Sequence, residues 1–365
     1  MLAVVPTMVF YAGGQDKPLF ESVLQAISEG STPKLEELRI SLRGINLPWD
    51  AALDIDAGLL SRAVVKVETC VIVGGHSRQQ EAIFTAISQS QDLVLKRLDA
   101  SHVGAGSPVV IAAAALKLEG LSLDWSTAAQ VEEVLTRLGN TEGSKLRELW
   151  FGGSASRWFG EEFDISHLSP EVLVRALLNI DLDEFGLDNF KFSSEQLNLL
   201  LSKIRDSDLK LTHLRLDGDN NLSQVPPQLM ASAFSRLESV DLGYHNEVSV
   251  EQFSAIFMML ASQELGGSKL RSLTIQDIMA LQSISPEVLV DAIRRLNKFE
   301  VQWSIVTAEQ INAILTAVTE RREGMLKNIK ILISKDDIVG GTVSQSLLQS
   351  AKQVNDILEI EFESD

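Results

Sequence analysis

Five histidines (His76, His102, His167, His213 and His245) and one cysteine, Cys70, are the side chains best suited to ligate a metal or act as nucleophiles. No histidine pair stands at the one-turn helical spacing that places two ring nitrogens on one face, so the spacing predicts no zinc centre. His213 and Asp241 are expected as neighbours, in a surface hydrogen bond rather than an acid/base pair. Cys70 replaces Leu or Val in a recurring apolar pattern and is expected as a small buried hydrophobe. A lone cysteine also excludes an intrachain disulfide, which favours an intracellular, cytoplasmic setting over a secreted one. The glycines of VGAGSP (103 to 108) and GG (74 to 75) lack the Lys-Ser/Thr ending of a phosphate loop and fit strand-to-helix turns. Asn221-Leu222-Ser223 matches a glycosylation sequon at the frequency of chance. No catalytic residue, cofactor or metal is expected.

A different constellation stands out. Asp124, Glu148, Trp150, Glu184, Asp188, Asp217 and Asp241, joined by Arg215, fall between apolar positions in short strand-like stretches, with Trp125, Tyr244 and Trp303 just beyond such stretches. Large aromatics with few rotors, set among carboxylates, suit a basic and partly apolar protein or peptide. Fifty acidic residues against 32 basic ones give a net charge of −18, which opposes nucleic acid and anionic membranes. Apolar residues make up 45% and charged residues 22% of the 365, a composition that excludes disorder, and no apolar run reaches the roughly 20 residues needed to span a bilayer.

The elements that position these residues recur. The pattern apolar-x-x-apolar-x-apolar returns about every 29 residues, at Val5/Met8/Phe10, Leu35/Leu38/Ile40, Val67/Cys70/Ile72, Leu95/Leu98/Ala100, Leu118/Leu121/Leu123, Leu146/Leu149/Phe151 and Leu182/Phe185/Leu187. It continues at Leu211/Leu214/Leu216, Leu237/Val240/Leu242, Leu270/Leu273/Ile275, Leu296/Phe299/Val301, Leu326/Ile329/Ile331 and Ile357/Ile360/Phe362. Neighbouring side chains on a strand point to opposite sides, so the residues between the apolar positions share one exposed face. The opening MLAVVPTMVFYAGG, which lacks a basic leader, reads as the first such strand.

Two kinds of helix start alternate between the strands. In one, a proline precedes an alanine by six residues: Pro108/Ala114, Pro170/Ala176, Pro227/Ala233 and Pro286/Ala292, with Ala57 replacing the proline before Ala63. Proline suits a first helical turn, where its missing N–H has no partner to lose. In the other, Ser or Thr precedes Gln by three: Ser77/Gln80, Thr127/Gln130, Ser193/Gln196, Ser249/Gln252 and Thr307/Gln310, the signature of a capping box.

This repeat resembles the leucine-rich repeat family over essentially the whole chain, and its unit length and alternating helices are similar to the ribonuclease-inhibitor subclass. The resemblance implies an α/β solenoid: a single domain, 1-365, of about 13 strand-helix units, with a parallel sheet on the concave face of a horseshoe and helices on the convex face. Strands about 4.8 Å apart and helices nearly 10 Å apart give such a stack its curvature. The family's turn-bonding Asn or Cys at the ninth position is replaced by Asp219, His245, Ile278 and Ser304, so irregular loops are expected there. The insertion GGSASRWFGEEFDISH (152 to 167) is expected to pack Trp158 and Phe159 over one sheet edge. Glu359, Glu361 and Glu363 are expected to protect the last strand, whereas Thr7, Val9 and Tyr11 leave the first unprotected, as in a piece of a longer protein. The resemblance implies a non-enzymatic scaffold binding a basic protein through its acidic, aromatic-bearing hollow. Its alternatives are the ligand-sensing or autoinhibitory repeats of a larger receptor, or a GTPase-activating horseshoe similar to the Ran regulator.

Overall fold

The computed structural model describes residues 5–11, 17–31, 35–42, 54–101, 106–153, 163–180, 182–188, 190–206, 209–218, 220, 222–243, 246–262, 268–276, 281–302, 306–319, 328–334, 338–339, 342–354 and 358–363. Each of the thirteen strand positions read from the spacing carries a strand, and the chain divides into two compact units, Met1–Asn189 and Phe190–Asp365.

The first unit alternates β1 (Val5–Tyr11), α1 (Lys17–Ser28), β2 (Leu35–Ser41), α2 (Ala57–Val64), β3 (Thr69–Val73), α3 (Ser77–Gln89), β4 (Arg97–Ala100), α4 (Pro108–Ala115), β5 (Gly120–Ser126), α5 (Ala128–Gly139) and β6 (Glu148–Gly153). The short β7 (Phe163–Asp164), α6 (Pro170–Asn179) and β8 (Glu184–Asp188) follow. Its strands are parallel, in the order β1-β2-β3-β4-β5-β6-β8. Met8, Leu38, Cys70, Leu98, Leu121, Leu149 and Phe185 lie in one row of the register. From Leu38 onward that row is buried against the helices, so Cys70 is the small core residue expected of it. Burial pushes its thiol well above the ordinary cysteine range, with Asp99 and Glu37 adding to the shift, and it stays protonated.

The second unit comprises β9 (Phe190–Lys191), α7 (Ser194–Asp206), β10 (His213–Leu216), α8 (Pro227–Phe234), β11 (Ser239–Leu242), α9 (Val250–Ala261), β12 (Ser272–Gln276), α10 (Pro286–Ile293), β13 (Lys298–Gln302), β14 (Val306–Thr307), α11 (Ala308–Thr319), β15 (Asn328–Ser334), β16 (Ile338–Val339), α12 (Gln345–Val354) and β17 (Leu358–Glu363). The parallel order is β10-β11-β12-β13-β15-β17. Leu214, Val240, Leu273, Phe299 and Ile329 stand opposite one another in successive rungs. The last strand departs from the expected alignment: Ile329 faces Leu358 rather than Ile360. A two-residue offset keeps the alternation of faces that a one-residue slip would invert.

Sheet on one side and helices on the other make each unit an α/β leucine-rich-repeat-like solenoid. The two helix types appear where expected. Proline opens α4, α6, α8 and α10, and Ala63, Ala114, Ala176, Ala233 and Ala292 are all fully buried, where the small side chain lets neighbouring layers approach.

The glutamines of the other type do more than cap. The Oε1 of Gln130 accepts from the Thr127 N–H at 2.9 Å, and those of Gln252 and Gln310 accept from Ser249 and Thr307 at 2.8 and 2.9 Å. Their Nε2 groups donate backward into the preceding repeat: Gln130 to Gly106 O (2.8 Å), Gln252 to the carbonyls of Leu222 and Val225 (the latter at 2.6 Å), and Gln310 to those of Leu281 and Ile284 (2.7 and 2.6 Å). In α3 the expected Ser77/Gln80 box is one residue out. Gln79 bonds the His76 N–H at 2.8 Å and Ile55 O at 2.9 Å.

After two strands of the second unit an asparagine one position later than the family pattern bonds the backbone. Asn246 Nδ2 donates to Leu216 O and Gly243 O, both at 2.9 Å. Asn220 Nδ2 donates to Asn246 Oδ1 at 3.1 Å, and Asn220 Oδ1 accepts from the Phe192 N–H at 2.9 Å. Gly218 stands before the first of them at φ 123°, a conformation that favours glycine. Positions 219, 245, 278 and 304 lie outside the described residues, as do Trp158 and Phe159 of the insertion.

Gln252→Leu strands two buried carbonyls and one capping N–H and is expected to cost about 3 kcal/mol. Ser249→Ala removes one capping bond, at about 1 kcal/mol. Urea denaturation of both variants checks the order; equal losses would mean that the inter-repeat bonds contribute nothing.

Candidate functional site

The strand face turned away from the helices carries polar residues in two described groups, one per unit. In the first unit Gly120 separates Arg97 and Glu148 in the register. With no side chain in between, Arg97 lays its stem over the glycine and donates from Nη2 to Glu148 Oε1 at 2.6 Å. A Cβ on Gly120 would stand 3.0 Å from Arg97 Cγ and 3.3 Å from Glu148 Oε2. Partial burial raises the Glu148 pKa; Arg97 opposes the shift, while Glu184 and Asp183 reinforce it. Asp99 is also raised by burial, against a hydrogen bond from Ser122 and the attraction of Arg39. Arg39 in turn holds Glu37 at 2.7 Å.

Trp150 is flanked in the register by Ser122 and Gly186, two residues too small to cover an indole, and is half-buried. Its ring and Asp124 converge on Gly152: a Cβ there would lie 2.9 Å from Trp150 Cη2 and 2.4 Å from Asp124 Oδ1. Asp124, Glu148, Trp150 and Glu184 are therefore brought together, with Glu184 exposed at the edge of the group. Asp188 stands opposite Gly152, but its side chain, like that of Trp125 in β5, lies outside the described residues. Tyr244 and Trp303 lie outside them altogether, as do His102, His245 and Asn221.

In the second unit Arg215 faces Asp241 in the register, with Nε 3.7 Å from Oδ2, and Lys298 pairs with Glu300 at 2.8 Å. His213 stands opposite Ser239, with Asp241 two residues along the same neighbouring strand, and its Nδ1 lies 2.7 Å from the Thr212 hydroxyl. Asp217 departs from expectation as a contact residue. It is 1% exposed, folded onto Gly243, where a Cβ would stand 2.4 Å from its carboxyl carbon. Asp241 is raised in pKa, first by burial and then by Asp217 and Glu300, against the attraction of Arg215 and Lys298.

The glycines that admit these contacts were missed by sequence reasoning. Gly120, Gly152 and Gly243 sit at positions where the neighbouring repeats carry charged side chains, and that contrast is the signal that could have found them. Among the described residues no group of three or more His, Cys, Asp or Glu could hold a metal ion, and no helix is long and apolar enough to cross a membrane.

A scan against protein-family models and a search of curated proteins each match nothing in this chain. Among solved structures, a chain in the crystal structure of the Rad7 and Elc1 complex in yeast is similar in fold. It is 12% identical with a TM-score of 0.44, over 90% of this chain and 87% of that one.

Two outcomes are expected. Gly120→Val pushes the Arg97 stem off its path, so the Glu148 carboxyl, titrated by NMR, moves higher still, while stability changes by no more than about 1 kcal/mol because the pair is solvent-exposed; an unmoved titration would show that Arg97 does not govern Glu148. A carboxyl whose folded pKa lies above its unfolded value contributes stability that is full below the unfolded value, about 3.9 for Asp, and lost as pH rises through the folded one. Asp241→Asn is thus expected to raise the urea midpoint at neutral pH, with the gain fading toward pH ~4. A lower midpoint at neutral pH would mean that attraction to Arg215 and Lys298 outweighs burial.

Proposed function

We infer that the chain is a non-enzymatic protein-interaction scaffold, a single leucine-rich-repeat domain of the ribonuclease-inhibitor type, whose strand face binds a basic protein partner. The alternation of Pro-led and Gln-capped helices supports the subclass. The observation that carries the functional reading is the Trp150 group. A half-buried indole rests on Gly152 between two small neighbours, with Asp124, Glu148 and Glu184 around it. Such an aromatic offers a large area for burial with few rotors to freeze, and the surrounding acids select a cationic counterpart. Net charge −18 favours a basic protein over nucleic acid or an anionic membrane, and a single buried cysteine suits a reducing intracellular compartment.

The group belongs to the rungs β5, β6 and β8. Immobilised protein used to capture partners at low and high salt tests the reading. Wild type is expected to retain a basic protein at low salt; Trp150→Ala weakens it by about 2 kcal/mol or more, and Glu184→Lys removes its salt sensitivity, both with unchanged thermal melts. Identical retention by wild type and both variants would discard the site.

A further inference from the structure

On the helix side of the second unit, α10 and α11 leave a groove of ≈ 730 Å³ between them. Its α10 wall presents Pro286 and Val290, and its α11 wall presents Ala313 and Thr316. Small side chains on α11 keep the floor low. Thr342 also lines it and is held in place: Asn312 Nδ2 donates to Thr342 O at 3.2 Å, and Asn312 Oδ1 accepts from the Ser344 N–H at 2.8 Å. Exposed carboxylates stand on both rims, Glu287 and Asp291 from α10 and Glu309 from α11. Among the described residues that line the groove one cation, Arg294, shares the rim and is engaged with Asp291 at 3.2 Å.

We propose that this groove is a second docking site, independent of the strand face, for an amphipathic helical segment of another protein that carries small apolar side chains on one side and Lys or Arg on the other. Charge complementarity decides the occupant. Three rim carboxylates against one guanidinium attract a cationic segment, whereas a second copy of this chain, at net charge −18, would meet like charge across the rim. The apolar floor between parallel rims suits a helix laid along the groove, with its apolar side chains one turn apart directed inward and its basic ones meeting Glu287 and Glu309. The volume lies within the range of pockets that bury several side chains or a ligand of similar size.

The test uses the full chain and a short synthetic helical peptide with Ala and Leu on one face and Lys on the other, together with its counterpart bearing Glu in place of every Lys. Binding is read by calorimetry. The Lys peptide is expected to bind wild type and the Glu peptide is not. Ala313→Trp, which fills the groove, and the double reversal Glu287→Lys/Glu309→Lys, which changes only exposed rim residues, are each expected to weaken the Lys peptide by about tenfold or more. Glu195→Lys/Glu251→Lys is the matched control, because these exposed acids occupy the first turns of α7 and α9, as Glu287 and Glu309 do in α10 and α11, outside the groove. It is expected to leave affinity within about twofold. Equal weakening by the control would reduce the effect to the general attraction of an acidic protein for cations, and an unaltered affinity in both groove variants would overturn the proposal.

Discussion

The stacking of repeats in each unit depends on buried glutamines that satisfy two layers at once. A helix that begins against a neighbouring repeat leaves its first N–H groups, and the turn that precedes the adjacent helix leaves carbonyls, at a place closed to water. Gln130, Gln252 and Gln310 answer both demands with one side chain. The oxygen takes the cap's N–H and the amide nitrogen gives its hydrogens to the carbonyls of the preceding repeat. Glutamate would supply the acceptor and no donor, and would bury a charge. The accepting carbonyls lie in the turns ahead of α4, α8 and α10, all proline-led helices. Gln79 makes the same backward bond to Ile55 O ahead of α2, which Ala57 opens in place of proline, so the lock lies in the carbonyls of the preceding turn, and the alternation of the two helix types repeats it every two units.

On the opposite face, the absence of side chains is what organises charge. Strands in a parallel sheet place like positions side by side, and a long polar residue on every rung would crowd its neighbours. Gly120 opens a gap wide enough for Arg97 to reach Glu148 two rungs away, and Gly152 and Gly243 each give an aspartate backbone to rest on. The same principle has opposite outcomes in the two units. Over Gly152, Asp124 is joined by an indole that remains half-exposed. Over Gly243, Asp217 is buried outright and leaves the surface.

This difference marks the limit of what could be read from the chain alone. Strand positions follow from apolar spacing because core burial depends on residue type, and they came out in place from Met8 to Ile329; at β17 the weaker Ile357/Ile360/Phe362 pattern suited two alignments that share a face. Helix starts were legible because proline and the capping box act locally, although His76/Gln79 took the place of Ser77/Gln80. The face was legible only as a list of outward positions. Whether an aspartate there is exposed depends on the residue opposite it one rung away, as Asp217 and Gly243 show. The asparagines that bond the turns, Asn220 and Asn246, were not legible because they stand one position beyond the counted one.

The charge of the chain is distributed by the same geometry. Close rungs force carboxylates on the strand face to be shared out among arginines and lysines, since Arg39, Arg97, Arg215 and Lys298 all sit within reach of an acid. Helices stand farther apart, and their exposed first turns favour acids, which the positive end of each helix stabilises. Glu171, Glu195, Glu251, Glu287 and Glu309 are placed accordingly. Net negative charge sets a long-range attraction that does not distinguish the strand side from the helix side, so a cationic partner of the kind proposed would be placed by short-range features. In the two proposals those features are the indole of Trp150 on its glycine and the low alanine floor between α10 and α11.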